Sequence, residues 1–314
     1  MSTARFSNIL PAGAALLTAF ALCGQFYPEL GGWLAVGVIL IVGFPHGADD
    51  ISTLTRLRGG SLSSRRFVQI AAYVAIMATM LVTWLIAPAV ALSIFLAVSI
   101  WHFGQDHASA LGLTGRPAGV YAVAWGSFVL LAPLCWSPGE LIPVVEAMTG
   151  VAPGYGVIEA IGRGATLAAA GCALYTAVAY ARTQDVHWLG ELALLVLLAH
   201  CFNFLPPLWA FAFFFVCVHA PTSLGNQLAW RGERATTSSL RSFLRRSAPY
   251  AVAAVGIIVG ITLLSEGGHR LDAQWLSRFF VLISAFTLPH ALVVHRATSQ
   301  FTRDGDAAAQ TSSV

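Results

Sequence analysis

Several histidines of this chain sit in short polar motifs enclosed by apolar runs. The motifs are G-F-P-H-G-A-D-D at 43–50, W-H-F-G-Q-D-H at 101–107, C-V-H-A-P at 217–221 and L-P-H-A-L-V-V-H at 288–295. Neutral imidazole is the commonest metal ligand and suits iron, zinc and copper. His46, His102, His219 and His290 are therefore the candidate metal ligands. Asp49, Asp50 and Asp106 lie within four residues of such histidines, where a carboxylate can accept from the far ring nitrogen and fix the tautomer. His107 follows His102 by five residues and joins this supporting group. Any one histidine near a helix end also reads as an interfacial residue or a C-terminal cap. Four at one depth point instead to a shared polar or metal site. His187, His200 and His269 read as ordinary polar residues.

The elements that carry these residues are set by composition. The chain has 314 residues, 57% hydrophobic and only 10% charged. A soluble domain is about 25% charged, whereas lipid as solvent tolerates apolar side chains facing outward. A spanning helix needs roughly 20 apolar residues. Segments of that kind fall at about 8–26, 30–47, 67–87, 89–106, 118–137, 161–181, 188–204, 207–228, 248–265 and 274–295. The reading is an all-α, polytopic transmembrane bundle of about ten spans, with eight or nine still open. Residues 1–303 form the single transmembrane domain and 304–314 a disordered polar tail. The first apolar run reads as an uncleaved span, a signal peptide being the alternative. No internal repeat is visible.

All 17 basic residues are arginine. With both termini cytoplasmic and sides alternating, only Arg163, Arg270 and Arg278 fall outside, which leaves 17 − 3 = 14 inside. That is a strong positive-inside bias. The four spans that carry His46, His102, His219 and His290 then all run inward and end near the cytoplasmic face. A net charge of +3, so dispersed, excludes a nucleic-acid protein. The five cysteines lie in apolar stretches without C-x-x-C spacing and read as small buried residues. Residues 137–159, rich in Glu, Pro and Gly, predict a short interfacial helix with turns.

Pro45 and Pro289 each precede a histidine, and Pro206-Pro207 opens the eighth span. The residue before proline is pushed out of α geometry, so helix breaks or helix ends are expected beside His46 and His290. Trp209, Phe213 and Phe214, with Phe211 and Phe215, make an aromatic stripe ahead of His219. Such a stripe suits a flat apolar substrate, core packing or lipid contact.

At these residues the chain resembles the Brp/Blh family of membrane β-carotene 15,15′-dioxygenases. The resemblance rests on F-P-H-G-A-D-D around His46, W-H-F-G-Q-D around His102, L-P-P-L-W-A-F-A-F-F-F-V-C-V-H ending at His219, and P-H-A-L-V-V-H from Pro289. It implies cleavage of the central double bond of β-carotene by O₂ to two retinals, at a non-haem Fe(II) held by histidines. His46, His102 and His219 match family histidines proposed as ligands, and His290 matches the family's C-terminal P-H. It also implies a multi-pass protein of the cell membrane, the bacterial inner membrane, and a retinal-binding membrane protein as downstream user. One departure stands out. The family follows the span-eight histidine with another four residues on, where this chain has Ser223. A non-catalytic carotenoid or retinal accessory protein, and a transporter using the histidines as a relay, are the alternatives.

Overall fold

The computed structural model describes residues 28–57, 63–234, 236–264 and 271–311, and the regular structure among them is entirely helical. Helix α1 (Pro28–Val38) runs through a π turn (Ile39–Gly43) into the short α2 (Phe44–Gly47). Then follow α3 (Asp50–Leu57), α4 (Ser63–Ile86), α5 (Pro88–Ala110), α6 (Gly115–Cys135), α7 (Pro138–Thr149), α8 (Tyr155–Thr183) and α9 (His187–Phe204). Helix α10 (Pro207–Phe214) passes through a second π turn (Phe215–His219) into α11 (Ala220–Trp230). The chain closes with α12 (Thr237–Leu264) and α13 (Ala273–Thr311).

Among the described residues, 8 helices are long and apolar enough to cross a membrane, and the protein is a multi-pass membrane protein. Their outer faces carry large apolar side chains such as Leu85, Ile86 and Val120, which lipid accepts without cost. The expected first span lies outside the described residues. The expected second span is a shorter apolar helix, Leu30–Gly43. The predicted interfacial helix is α7, which Gly150 ends in the left-handed conformation at φ 76°.

Prolines shape the helices that lead to the site. Pro88 forces Ala87 out of α geometry (φ −151°, ψ 68°), so α4 and α5 are divided at a single residue. A proline also withholds the N–H that would meet the carbonyl four residues back. Pro45 and Pro221 therefore release the carbonyls of Ile41 and Cys217, which lie inside the two π turns. In the second, the Ala220 amide donates to the Phe215 carbonyl, five residues back. The two π turns pack against each other, and Gly43 lies so close to the Phe215 ring that a Cβ there would sit 2.0 Å from it.

Beside His46 the expected interruption is present, since α2 ends at Gly47 and α3 begins at Asp50. Beside His290 it is not. Helix α13 continues unbroken through Pro289, and His290 lies in its interior. Neighbouring helices on several sides keep such a proline tolerable in a membrane bundle, and α13 packs on α3, α4, α5 and α7. The same helix runs to Thr311, where a disordered tail from residue 304 was expected. The run Ala307-Ala308-Ala309 has the highest intrinsic helix propensity and propagates the helix.

Helices α5 and α6 cross in backbone contact. A Cβ on Gly104 would fall 1.7 Å from the Ala122 carbonyl oxygen, and one on Gly126 would fall 1.8 Å from that of Ile100. Small residues at such crossings let helices approach where lipid supplies no hydrophobic drive. One apolar core joins α5, α6, α8, α9 and α10 around Trp125, Phe128, Phe202 and Phe214. Another joins α1, α10, α12 and α13 around Trp209, Trp275 and Phe279. Phe211 and Phe215 touch both, so the segment that ends at His219 is wedged between the two cores.

Candidate metal centre

Helix α5 places His102 and Asp106 one turn apart on one face. The second π turn supplies His219, and α13 supplies His290. All four side chains are buried. One donor atom from each of His102, Asp106 and His219 lies within 4.8 Å of the others. The His102 ring centroid is 5.0 Å from that of His219 and 4.7 Å from that of His290. Three of the expected metal ligands therefore meet. Of the fourth, His46, only the backbone belongs to the described residues. The next residue, Gly47, is packed on the His290 ring, a Cβ there falling 3.5 Å from Nδ1.

The carboxylates divide by role. Asp50 meets His290 Nδ1 at 2.9 and 3.1 Å and accepts from the Tyr73 hydroxyl at 2.9 Å. This fixes the orientation of the His290 ring. Asp49 faces elsewhere. It is clasped by Arg231, which also donates to Ser52 at 2.9 Å, and Arg246 lies 3.8 Å away. Burial nonetheless holds the Asp49 carboxyl above its ordinary range, against the pull of both guanidiniums. Asp49 thus ties α11 and α12 to the loop after α2 rather than supporting a histidine. His107 also departs from its expected role. Five residues beyond His102 it is rotated by about 140° around α5, and its Nε2 lies 2.7 Å from Glu191. The Tyr121 hydroxyl donates to the same Glu191 oxygen at 2.9 Å. The imidazole lies flat on Trp125, with centroids 3.7 Å apart and planes within 1°.

The sequence reading missed Tyr73, Tyr121, Glu191, Asn226 and Arg231. Glu191 carried a usable signal, as the single acidic residue of an apolar span. His295 Nδ1 lies 3.0 Å from the Gln105 amide oxygen and 3.3 Å from the Trp101 indole nitrogen. The His200 ring lies 4.5 Å from that of Phe204, tilted by 45°, near the far end of α9, and His269 lies outside the described residues. Cys135, Cys172, Cys201 and Cys217 are buried free thiols, as expected.

Aromatic rings wall one side of the centre. Phe103 lies 4.6 Å, Phe215 5.2 Å and Phe214 6.2 Å from the His219 ring. Of the expected stripe, Phe214 is here, Phe213 is buried in the first core, and Trp209 covers Gly31 of α1.

The donor set fits a first-row transition metal. Bonds to imidazole nitrogen and carboxylate oxygen are about 2.0 to 2.2 Å, so three donors that share one ion are at most about 3.8 Å apart. The present group, spread over up to 4.8 Å, would draw in by about 1 Å to hold one.

A bundle of membrane-spanning helices that encloses imidazoles, carboxylates and aromatic rings defines a membrane protein built around a buried polar centre. Residues 37–296 match the family described as beta-carotene 15,15'-dioxygenase, and the chain belongs to that family. Neither a curated protein nor a solved structure matches it.

Proposed function

We propose that the protein cleaves the central double bond of β-carotene with O₂ inside the membrane, giving two retinals. The metal is Fe(II), held by His102, His219 and His290, with His46 as a further candidate from its backbone position. The observation that carries the reading is the convergence of His102, Asp106 and His219 within 4.8 Å in a buried site, in a chain of the carotene dioxygenase family.

Bound iron would supply the O₂ chemistry. The reaction balances without a further reductant, since one C=C bond is broken and each carbon takes one oxygen atom. The chain has three tasks. Asp50 and Tyr73 hold the His290 ring in one tautomer and orientation. Phe103, Phe214 and Phe215 offer apolar faces on which a polyene can lie beside His219. The two cores around this segment exclude water. A lipid-soluble substrate reaches the site from the bilayer of the cell membrane, and the aldehyde product suits a retinal-binding membrane protein.

Coexpression in cells that accumulate β-carotene tests this. Colour should fade and retinal should appear by chromatography. Unchanged pigment alongside folded, iron-loaded protein would rule out central cleavage. Folded protein that carries pigment, with no iron and no retinal, would favour the accessory reading.

A further inference from the structure

Three histidine–carboxylate pairs are buried among the described residues, and one is unlike the others. His290–Asp50 is 2.9 Å and His107–Glu191 is 2.7 Å, both hydrogen-bond distances. His219 Nδ1 and Asp106 Oδ2 are 4.0 Å apart, too far for a hydrogen bond. Asp106 is nevertheless completely buried. A buried carboxylate with no cation at hydrogen-bond distance is costly in such surroundings. The guanidiniums of Arg231 and Arg246 are directed to Asp49.

Two donors that each bond the same ion at about 2.0 to 2.2 Å stand about 2.8 to 3.6 Å apart at octahedral or tetrahedral angles, so His219 and Asp106, 4.0 Å apart, share an ion after drawing in by roughly 0.4 to 1.2 Å. Another group holds the Asp106 carboxylate in place. The Asn226 amide donates to its Oδ1 at 3.3 Å and to its backbone carbonyl at 3.0 Å. Ser223 is buried one turn after His219 and accepts from the Gln227 amide. Serine at 223 fills little space and leaves the carboxylate turned toward the two histidines.

We infer that Asp106 is a direct metal ligand beside the histidines, so that the centre carries one carboxylate with His102, His219 and His290. Imidazole nitrogens combined with a carboxylate would suit ferrous oxygenase chemistry. An anionic ligand also lowers the net charge of a divalent ion in an apolar interior, where uncompensated charge is most expensive. This inference rests on the metal reading above, and the following experiment separates the two.

Wild type, Asp106→Asn, Asp106→His, Asp50→Asn and His219→Ala are purified in detergent and loaded with Fe(II) without oxygen. Bound iron is measured after desalting, and the nitric oxide adduct is examined by electron paramagnetic resonance. Wild type should hold about one iron per chain. Asp106→Asn should lose iron like His219→Ala, well beyond the loss in Asp50→Asn. Asp106→His should keep iron and change the resonance. Wild-type iron content in Asp106→Asn, with iron lost in His219→Ala, would overturn Asp106 as a ligand. Should Asp106→Asn fail to fold, an unchanged resonance in Asp106→His would overturn it instead. A wild type that binds no iron would defeat the metal reading itself.

Discussion

Helix α5 carries two polar regions built from the same residue types, and they do different things. On one face His102 and Asp106 meet His219 at separations of up to 4.8 Å. On another, His107 meets Glu191 at 2.7 Å, shares it with Tyr121 and lies flat on Trp125. The second region is closed, since His107 and Tyr121 both direct their polar atoms to one Glu191 oxygen at hydrogen-bond distance. The first holds its donors too far apart to bond one another and near enough to share an ion. Buried histidine and acid therefore do not by themselves mark a metal site in this chain. The two regions differ in the distance between those groups.

Both regions depend on the crossing of α5 with α6, so the largest effect is expected there. Gly104→Leu drives side-chain atoms into the Ala122 carbonyl, which is backbone and cannot yield. The expected result is loss of folded protein on size exclusion in detergent, with an overpacking cost of about 3 kcal/mol or more. A folded, iron-loaded Gly104→Leu would show that the two regions do not share this scaffold.

His219→Ala should break the open region alone. Folded protein should persist, while retinal formation falls below detection and bound iron disappears. Asp50→Asn should act on the same region more weakly. Loss of an outer partner of a ligating histidine costs about 10- to 100-fold in metal affinity. Iron titration should show that shift, with retinal formation recovering at saturating iron.

The smallest effect should come from the closed region. Glu191→Ala leaves His107 and Tyr121 buried without their acceptor, at a cost of about 1–3 kcal/mol. Thermal unfolding in detergent should shift down while iron per chain stays at the wild-type value. Iron loss in Glu191→Ala would mean that the two regions are one system.

Much of the architecture was legible beforehand. Helical spans follow from runs of apolar residues, because lipid demands internally bonded backbone. The break between α4 and α5 followed from Ala87-Pro88, and the interruption after His46 from Pro45. The interior position of His290 was not legible. Proline weakens a helix locally, and packing partners from distant segments decide whether it breaks. The roles of the carboxylates divided likewise. Asp49 and Asp50 are neighbours with nearly the same local context, yet one meets Arg231 from α11 and the other His290 from α13.

Residue order alone determined the membrane-spanning class, the helices and the short set of histidines worth examining. These follow from local periodicity and from the cost of placing ionisable groups in lipid. Which imidazole faces which acid was decided only by tertiary structure. Glu191 is 84 residues from His107, and Asp50 is 240 residues from His290. Such pairings depend on which helices cross, at what rotation and how closely, and the contact of Gly104 with Ala122 sets much of that here.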